Sequence, residues 1–288
     1  MEGIDMKLRY NVAMVFVVVM AAFFSGCAQP ASVQPQMTVP ETTPQASATA
    51  TDEPTAPATL LPTATPTPVV THTAEPAEEP VPGAPVISEK EIVYSNGDVN
   101  VSMVCPEISG MKDQSVQRSI NKEIYETLSD MAKSVEEKSK EDTQLQGQHP
   151  LYDISAIYRV QRNDGVVLSI QISISTYTGG ANTGSDSMFI NVINTKDAAQ
   201  PTLADLFTEG VDYTTAINNE INTIIQNDDF MAESVNFETV SPTQWYYLTD
   251  TSLVIMFPRY EIAAGVIGEP EFIIPLENLT RILIPEVK

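Results

Sequence analysis

The chain has 288 residues, with 38 Asp and Glu against 15 Lys and Arg and a formal net charge of −23 at pH 7. Such a field repels nucleic acid, anionic lipid and anionic wall polymers, so no nucleic-acid role is expected; it either favours a cationic partner or simply keeps the protein soluble. Two cysteines and two histidines leave little material for thiol, zinc or Ser-His-Asp chemistry.

Lys7 and Arg9 precede the apolar stretch "VAMVFVVVMAAFF", and Phe24-Ser25-Gly26-Cys27 follows. An apolar run of roughly a dozen residues with small residues behind it fits an export signal better than a membrane-spanning helix, which needs about 20. The Phe-Ser-Gly-Cys string resembles the bacterial lipobox. Residues 1–27 are therefore expected to be a lipoprotein signal, with Cys27 carrying the lipid and fixing the protein to the outer face of the cytoplasmic membrane. Glu2 and Asp5 are unusual in such a signal, and Met6 is an alternative start.

Residues 28–85 hold 13 prolines and 12 threonines and neither Lys nor Arg. With almost no large apolar side chain such a segment cannot bury a core, and it is expected to be a disordered Pro/Thr/Ala-rich tether. In polyproline II form it would reach about 180 Å, from about 3.1 Å per residue.

Residues 86–288 are long enough for a buried core and carry 30 carboxylates against 13 Lys and Arg, a formal charge of −17. Val116, Ile120, Ile124, Leu128, Met131 and Val135 recur every three or four positions, which predicts an amphipathic helix over 114–141 behind an Asp113 cap. Tyr152, Ile154, Ala156, Tyr158 and Val160 share one parity and predict a strand. Asp164-Gly165 then predicts a hairpin turn. The return strand places Leu168, Ile170, Ile172 and Ile174 on one face, with Ser169, Gln171, Ser173 and Ser175 opposite. After "TGGANTG" a third strand carries Met188, Ile190 and Val192.

Further on, Thr202 and Asp205 sit at capping-box spacing in "TLADLF", and a second helix is expected from Asp212 to Gln226. Two strands, "QWYYL" and "SLVIMF", and a late edge strand, "PEFIIPL", complete the set. The expected fold is α+β: an antiparallel meander sheet packed against two amphipathic helices. Two lobes, about 90–165 and 166–288, are an alternative division.

Little in the domain announces chemistry. Cys105 lies among apolar neighbours and reads as a buried thiol, and the domain's one histidine is His149. HExxH, paired CxxC and GxSxG are absent, so neither a metal nor a cofactor is expected. Asp228 and Asp229 read as a solvated loop. The candidate ligand-contact loop is Tyr177, Thr178, Gly179, Gly180 and Asn182. Its first duty is to turn the chain, because a phosphate site would want a helix N-terminus after the glycines and a strand follows. Gly180→Val is then expected to harm folding before binding.

The order of elements and several strings resemble the extracytoplasmic domain shared by RsiV-type anti-sigma factors and PdaC-type peptidoglycan deacetylases. The resemblance covers about residues 90–288. It rests on "VSMVCPEISG" followed by the helix containing "SINKEI", then "YTGGAN", "PTLADLF" and "WYYLTDTSLVIMFPRYEIAAGVIGEPEFIIPLENL". In the last string Phe257, Tyr260, Glu261, Ile262, Gly268, Phe272 and Pro275 match the family pattern. Where the family has Gly-Gly-Ala-His, this chain has Asn182, so a role resting on imidazole does not carry over.

The resemblance implies a recognition domain, since the family includes domains that bind lysozyme, a cationic muramidase. An anti-sigma segment before the signal and a zinc deacetylase domain after Lys288 are not expected here. The expected function is that of a non-enzymatic, lipid-anchored envelope binding domain, recognising a cationic wall-active protein such as lysozyme. The alternatives are a carboxylate-only enzyme acting on peptidoglycan or another envelope glycan, and a structural or sensory envelope component.

Overall fold

Strand β4, Val167–Tyr177, carries Leu168, Ile170, Ile172 and Ile174 into the core as their alternation requires. The computed structural model to which it belongs describes residues 81–288 except 148, 149 and 181. The signal, Cys27, the tether up to residue 80, His149 and Ala181 lie outside the described residues.

Eight strands form two sheets. The first has the order β1-β2-β3-β4-β5, with β1 Val86–Ser95, β2 Val99–Ser109, β3 Tyr152–Asn163 and β5 Gly184–Ile193. The second has the order β6-β7-β8, with β6 Trp245–Leu248, β7 Ser252–Met256 and β8 Glu271–Pro275.

A single antiparallel meander is therefore corrected in two respects. Strands β2 and β3 pair in parallel, Val99 opposite Tyr152 through Met103 opposite Ala156, because a long helix carries the chain back between them. The last three strands form a separate antiparallel sheet. Strand β1 was not expected at all. It pairs antiparallel with β2 but is exposed along most of its length, so its sequence shows no alternation. The alternative lobe boundary at 165/166 falls in the turn of the β3–β4 hairpin, whose two strands share one sheet.

Helix α1, Gln114–Gln146, is the crossover. Asp113 caps it, its carboxylate accepting from the Ser115 and Val116 N–H groups at 2.8 and 3.1 Å. The helix ends at Gln146, five residues beyond the expected end, and Gly147 after it takes φ +79°. Its apolar stripe closes one face of the first sheet, Ile120, Ile124 and Leu128 packing with Val101, Met103, Ile154, Ile170 and Ile190. Each such side chain contributes roughly 1.5–3 kcal/mol on burial. Cys105 sits in this cluster.

The second sheet covers the opposite face of β4 and β5. The serine side of β4, opposite its isoleucines, is itself buried at Ser169. Its hydroxyl donates to Asn191 Oδ1 at 2.7 Å and accepts from Leu248 N–H at 3.0 Å, while Asn191 Nδ2 donates to the Tyr246 carbonyl at 2.9 Å. Phe189 stacks with Tyr247 and tilts against Trp245, so the sheets meet through a polar lock beside an aromatic cluster.

The outer face of the second sheet packs on helix α2, Tyr213–Gln226, through Ile217, Ile221, Leu253, Ile255, Phe257 and Phe272. The rings of Phe257 and Phe272 meet edge to face. Asp212 caps α2 by accepting from Thr215 N–H at 3.0 Å. Asp205 closes the short 3-10 turn Ala204–Leu206, accepting from Thr202 N–H at 2.8 Å. Asp228 and Asp229 are not plain loop: Asp228 caps the short helix α3, Asp229–Ser234. A last turn, α4, spans Leu276–Leu279.

Candidate functional site

The β4–β5 turn begins at Tyr177 and Thr178, both half-buried, and passes through the exposed Gly179, Gly180 and Asn182 before β5 opens at Gly184. Gly179 takes φ +84°, and a Cβ there would come within 3.3 Å of Pro150 Cδ and 3.4 Å of Tyr152 Cε1. Gly180 has neither a positive φ nor a close neighbour. The expectation that Gly180→Val would harm folding is corrected: Gly179 is the glycine that the turn requires.

Beside this turn lies the connection between β7 and β8, closed at its base by Phe257 N–H donating to the Pro270 carbonyl at 3.0 Å. Its floor is pinned by buried Ile262, whose carbonyl accepts from Asn236 N–H at 2.7 Å, and by a bridge between Val235 and Ala263. The chain between these pins is pushed outward. Tyr260 takes φ +73°, the one non-glycine residue at positive φ among those described, and is 68% exposed.

A tyrosine in that conformation costs of order 1–3 kcal/mol, which the surrounding packing must offset. Part of that packing is Gly265, where any Cβ would fall 2.0 Å from the Tyr260 ring. Val266 next to it is 92% exposed. The loop thus presents an aromatic and an aliphatic side chain to solvent.

One contact joins the loop to the turn and a second joins it to β5. Arg259 Nη1 donates to the Thr183 carbonyl at 3.3 Å. The Ser187 hydroxyl, near the start of β5, donates to Glu269 Oε2 at 2.9 Å. Asp186 lies in the same place. Burial pushes its carboxyl above the ordinary value; its bond from Ser187 N–H opposes that shift, and the nearby Glu269 charge adds to it. Tyr247, beneath, is raised to about 12, chiefly by burial and further by Glu271, whose carboxylate its hydroxyl reaches at 3.5 Å. The surroundings are acidic, with a raised aromatic anchor at the edge.

Of the sequence-predicted residues, Tyr177, Thr178, Gly179, Gly180 and Asn182 are together in this turn. Cys105 stands apart, buried under α1, and desolvation raises its thiol pKa while Lys90 opposes. Arg259, Gly265, Asp186 and Glu269 were not singled out. The "PRY" tripeptide and the two glycines after it mark a loop, but nothing in the sequence says that Tyr260 is held at positive φ. Among the described residues no group of three or more His, Cys, Asp or Glu could hold a metal ion, and no helix is long and apolar enough to cross a membrane.

Residues 92–185 match the model of a family described as Deacetylase PdaC, and residues 204–277 match one described as Protein of unknown function (DUF3298). The first segment ends with the glycine turn and the second contains the Tyr260 loop, so the Arg259–Thr183 bond joins the two. The chain is 26% identical over 209 residues to the anti-sigma-V factor RsiV of Bacillus subtilis (strain 168), covering 68% of this chain and 70% of that protein.

Among solved structures, a DUF3298 family member from Bacteroides fragilis shares the fold with a TM-score of 0.55 at 16% identity, over 71% of this chain and 95% of that one. A DUF3298 family protein from Pseudomonas aeruginosa PAO1 gives a TM-score of 0.44 at 20% identity, over 73% of this chain and 97% of that one. The two family matches fall on successive parts of the α+β domain, residues 92–185 and 204–277. Together with the likeness to RsiV, these two matches support a relationship to the RsiV/PdaC-type family.

Proposed function

We propose that this protein is a non-enzymatic, lipid-anchored binding domain of the cell envelope that recognises a cationic wall-active protein of the lysozyme kind. The observation that carries the reading is Tyr260: a strained, exposed aromatic side chain backed by Gly265, beside a glycine turn, on a domain of formal charge −17. Strain of this sort persists where a surface is pre-formed for a partner, and tyrosine is among the residues that dominate binding energy at interfaces. The relationship to an anti-sigma factor supports a binding rather than a catalytic role.

Anchoring at Cys27 would hold the domain off the outer face of the cytoplasmic membrane on its tether. Metabolic labelling with a fatty-acid analogue tests this part, with label in the parent and none in Cys27→Ala. Equal labelling of both would refute it. Recognition is tested by calorimetric titration of lysozyme into the parent and Tyr260→Ala. The parent binds, and the variant loses about 30-fold in affinity, equivalent to about 2 kcal/mol. An unchanged affinity in Tyr260→Ala removes this loop from the interface.

A further inference from the structure

We propose that Arg259 is the positioning residue of this site, its guanidinium locking the Tyr260 loop to the glycine turn so that both meet a cationic protein as one pre-formed surface. The inference rests on the recognition role proposed above and concerns how the surface is held.

The fork of Arg259 is spent on two backbone carbonyls from two segments. Nε donates to Gly265 within the loop at 2.7 Å, and Nη1 donates to Thr183 in the turn at 3.3 Å. The guanidinium carbon also lies 5.2 Å from the centre of the Tyr260 ring. One half-buried side chain therefore touches all three parts of the site: the anchor, the glycine on which the anchor rests, and the neighbouring turn. A planar fork can bridge two carbonyls at once, whereas an ammonium is a point donor.

Charge and geometry make opposite demands at this position. A positive side chain inside a surface for a cationic partner repels that partner, so its presence argues for a mechanical duty. If charge alone mattered, Arg259→Gln would bind a cationic protein faster and more tightly. If pre-organisation matters, Arg259→Gln binds more weakly through faster dissociation, and Arg259→Lys does the same with the charge unchanged.

The test has one arm without a partner and one with lysozyme as probe, both on the full chain. The Gly265 Hα that a Cβ would replace points at the Tyr260 ring, and its NMR signal is expected to be displaced by the ring current. In Arg259→Lys and Arg259→Gln that displacement collapses, lysozyme dissociates about tenfold faster and the melting temperature stays at the parental value. A parental Gly265 signal in both variants overturns the proposal, as does a parental dissociation rate. Should lysozyme fail to bind the parent, the recognition reading fails, and the Gly265 signal alone still decides whether Arg259 holds the loop.

Discussion

Asn121 satisfies both backbone groups of Ile108: its Oδ1 accepts from the Ile108 N–H at 2.9 Å, and its Nδ2 donates to the Ile108 carbonyl at 2.8 Å. The side chain of a residue early in α1 thus acts as a further strand partner where the parallel pairing of β2 with β3 has already ended at Met103. Helix and sheet are tied at this point by an amide rather than by apolar contact.

Asn121→Ala leaves a buried N–H and C=O without partners and is expected to cost about 2 kcal/mol. Asn121→Asp can accept but not donate and falls between the two. Denaturant unfolding of the three proteins checks the order.

The glycine turn gives a paired prediction. Gly179→Ala places a side chain at φ +84° and against Pro150, and loses about 1–2 kcal/mol, whereas Gly180→Ala changes stability by less than about 0.5 kcal/mol. Equal losses at both positions would contradict the assigned conformation.

How much of this was legible depends on whether the signal was local. The stripes of α1 and α2 and the alternation of β4 and β5 follow from periodicity, because each packs one face on a core. Strand β1 had no such signal, since both of its faces are largely exposed and its existence depends on pairing with β2. The parallel β2–β3 pair could have been anticipated from a strand, a helix and a strand in succession. Ser169 could not, because a serine on the polar side of a strand looks solvated until a second sheet is known to cover it. The turn was located by its glycine pair, but which glycine bears the positive φ depends on Pro150 and Tyr152. Tyr260 was visible only as part of a family pattern; its positive φ has no local sequence signal.

Asp186 supplies a prediction in pH. Burial raises its carboxyl above the ordinary 3.8, with the Glu269 charge adding to the rise, so between 3.8 and the raised value the folded state binds more protons than the unfolded chain. Its contribution to stability is then fully present below pH 3.8 and is lost as the pH rises through the raised value. Asp186→Asn keeps an oxygen to accept from Ser187 N–H but cannot ionise, so it is expected to be more stable than the parent at pH 7 and equal to it near pH 3. Thermal unfolding at the two pH values checks this; a variant less stable at pH 7 would contradict the sign.

Recognition of a cationic protein through a pre-formed aromatic anchor in an acidic field is measured by titrating lysozyme into the full chain at about 0.1 M and about 1 M salt, with an unrelated basic protein such as cytochrome c as control. Raising the salt shortens the Debye length from about 10 Å to about 3 Å, which removes steering but not the contact made by Tyr260. Lysozyme is expected to bind at both salt concentrations, more slowly at the higher one, and cytochrome c is expected not to bind at 1 M. Lysozyme binding at neither concentration, or binding that disappears at 1 M and is matched by cytochrome c at 0.1 M, would contradict it.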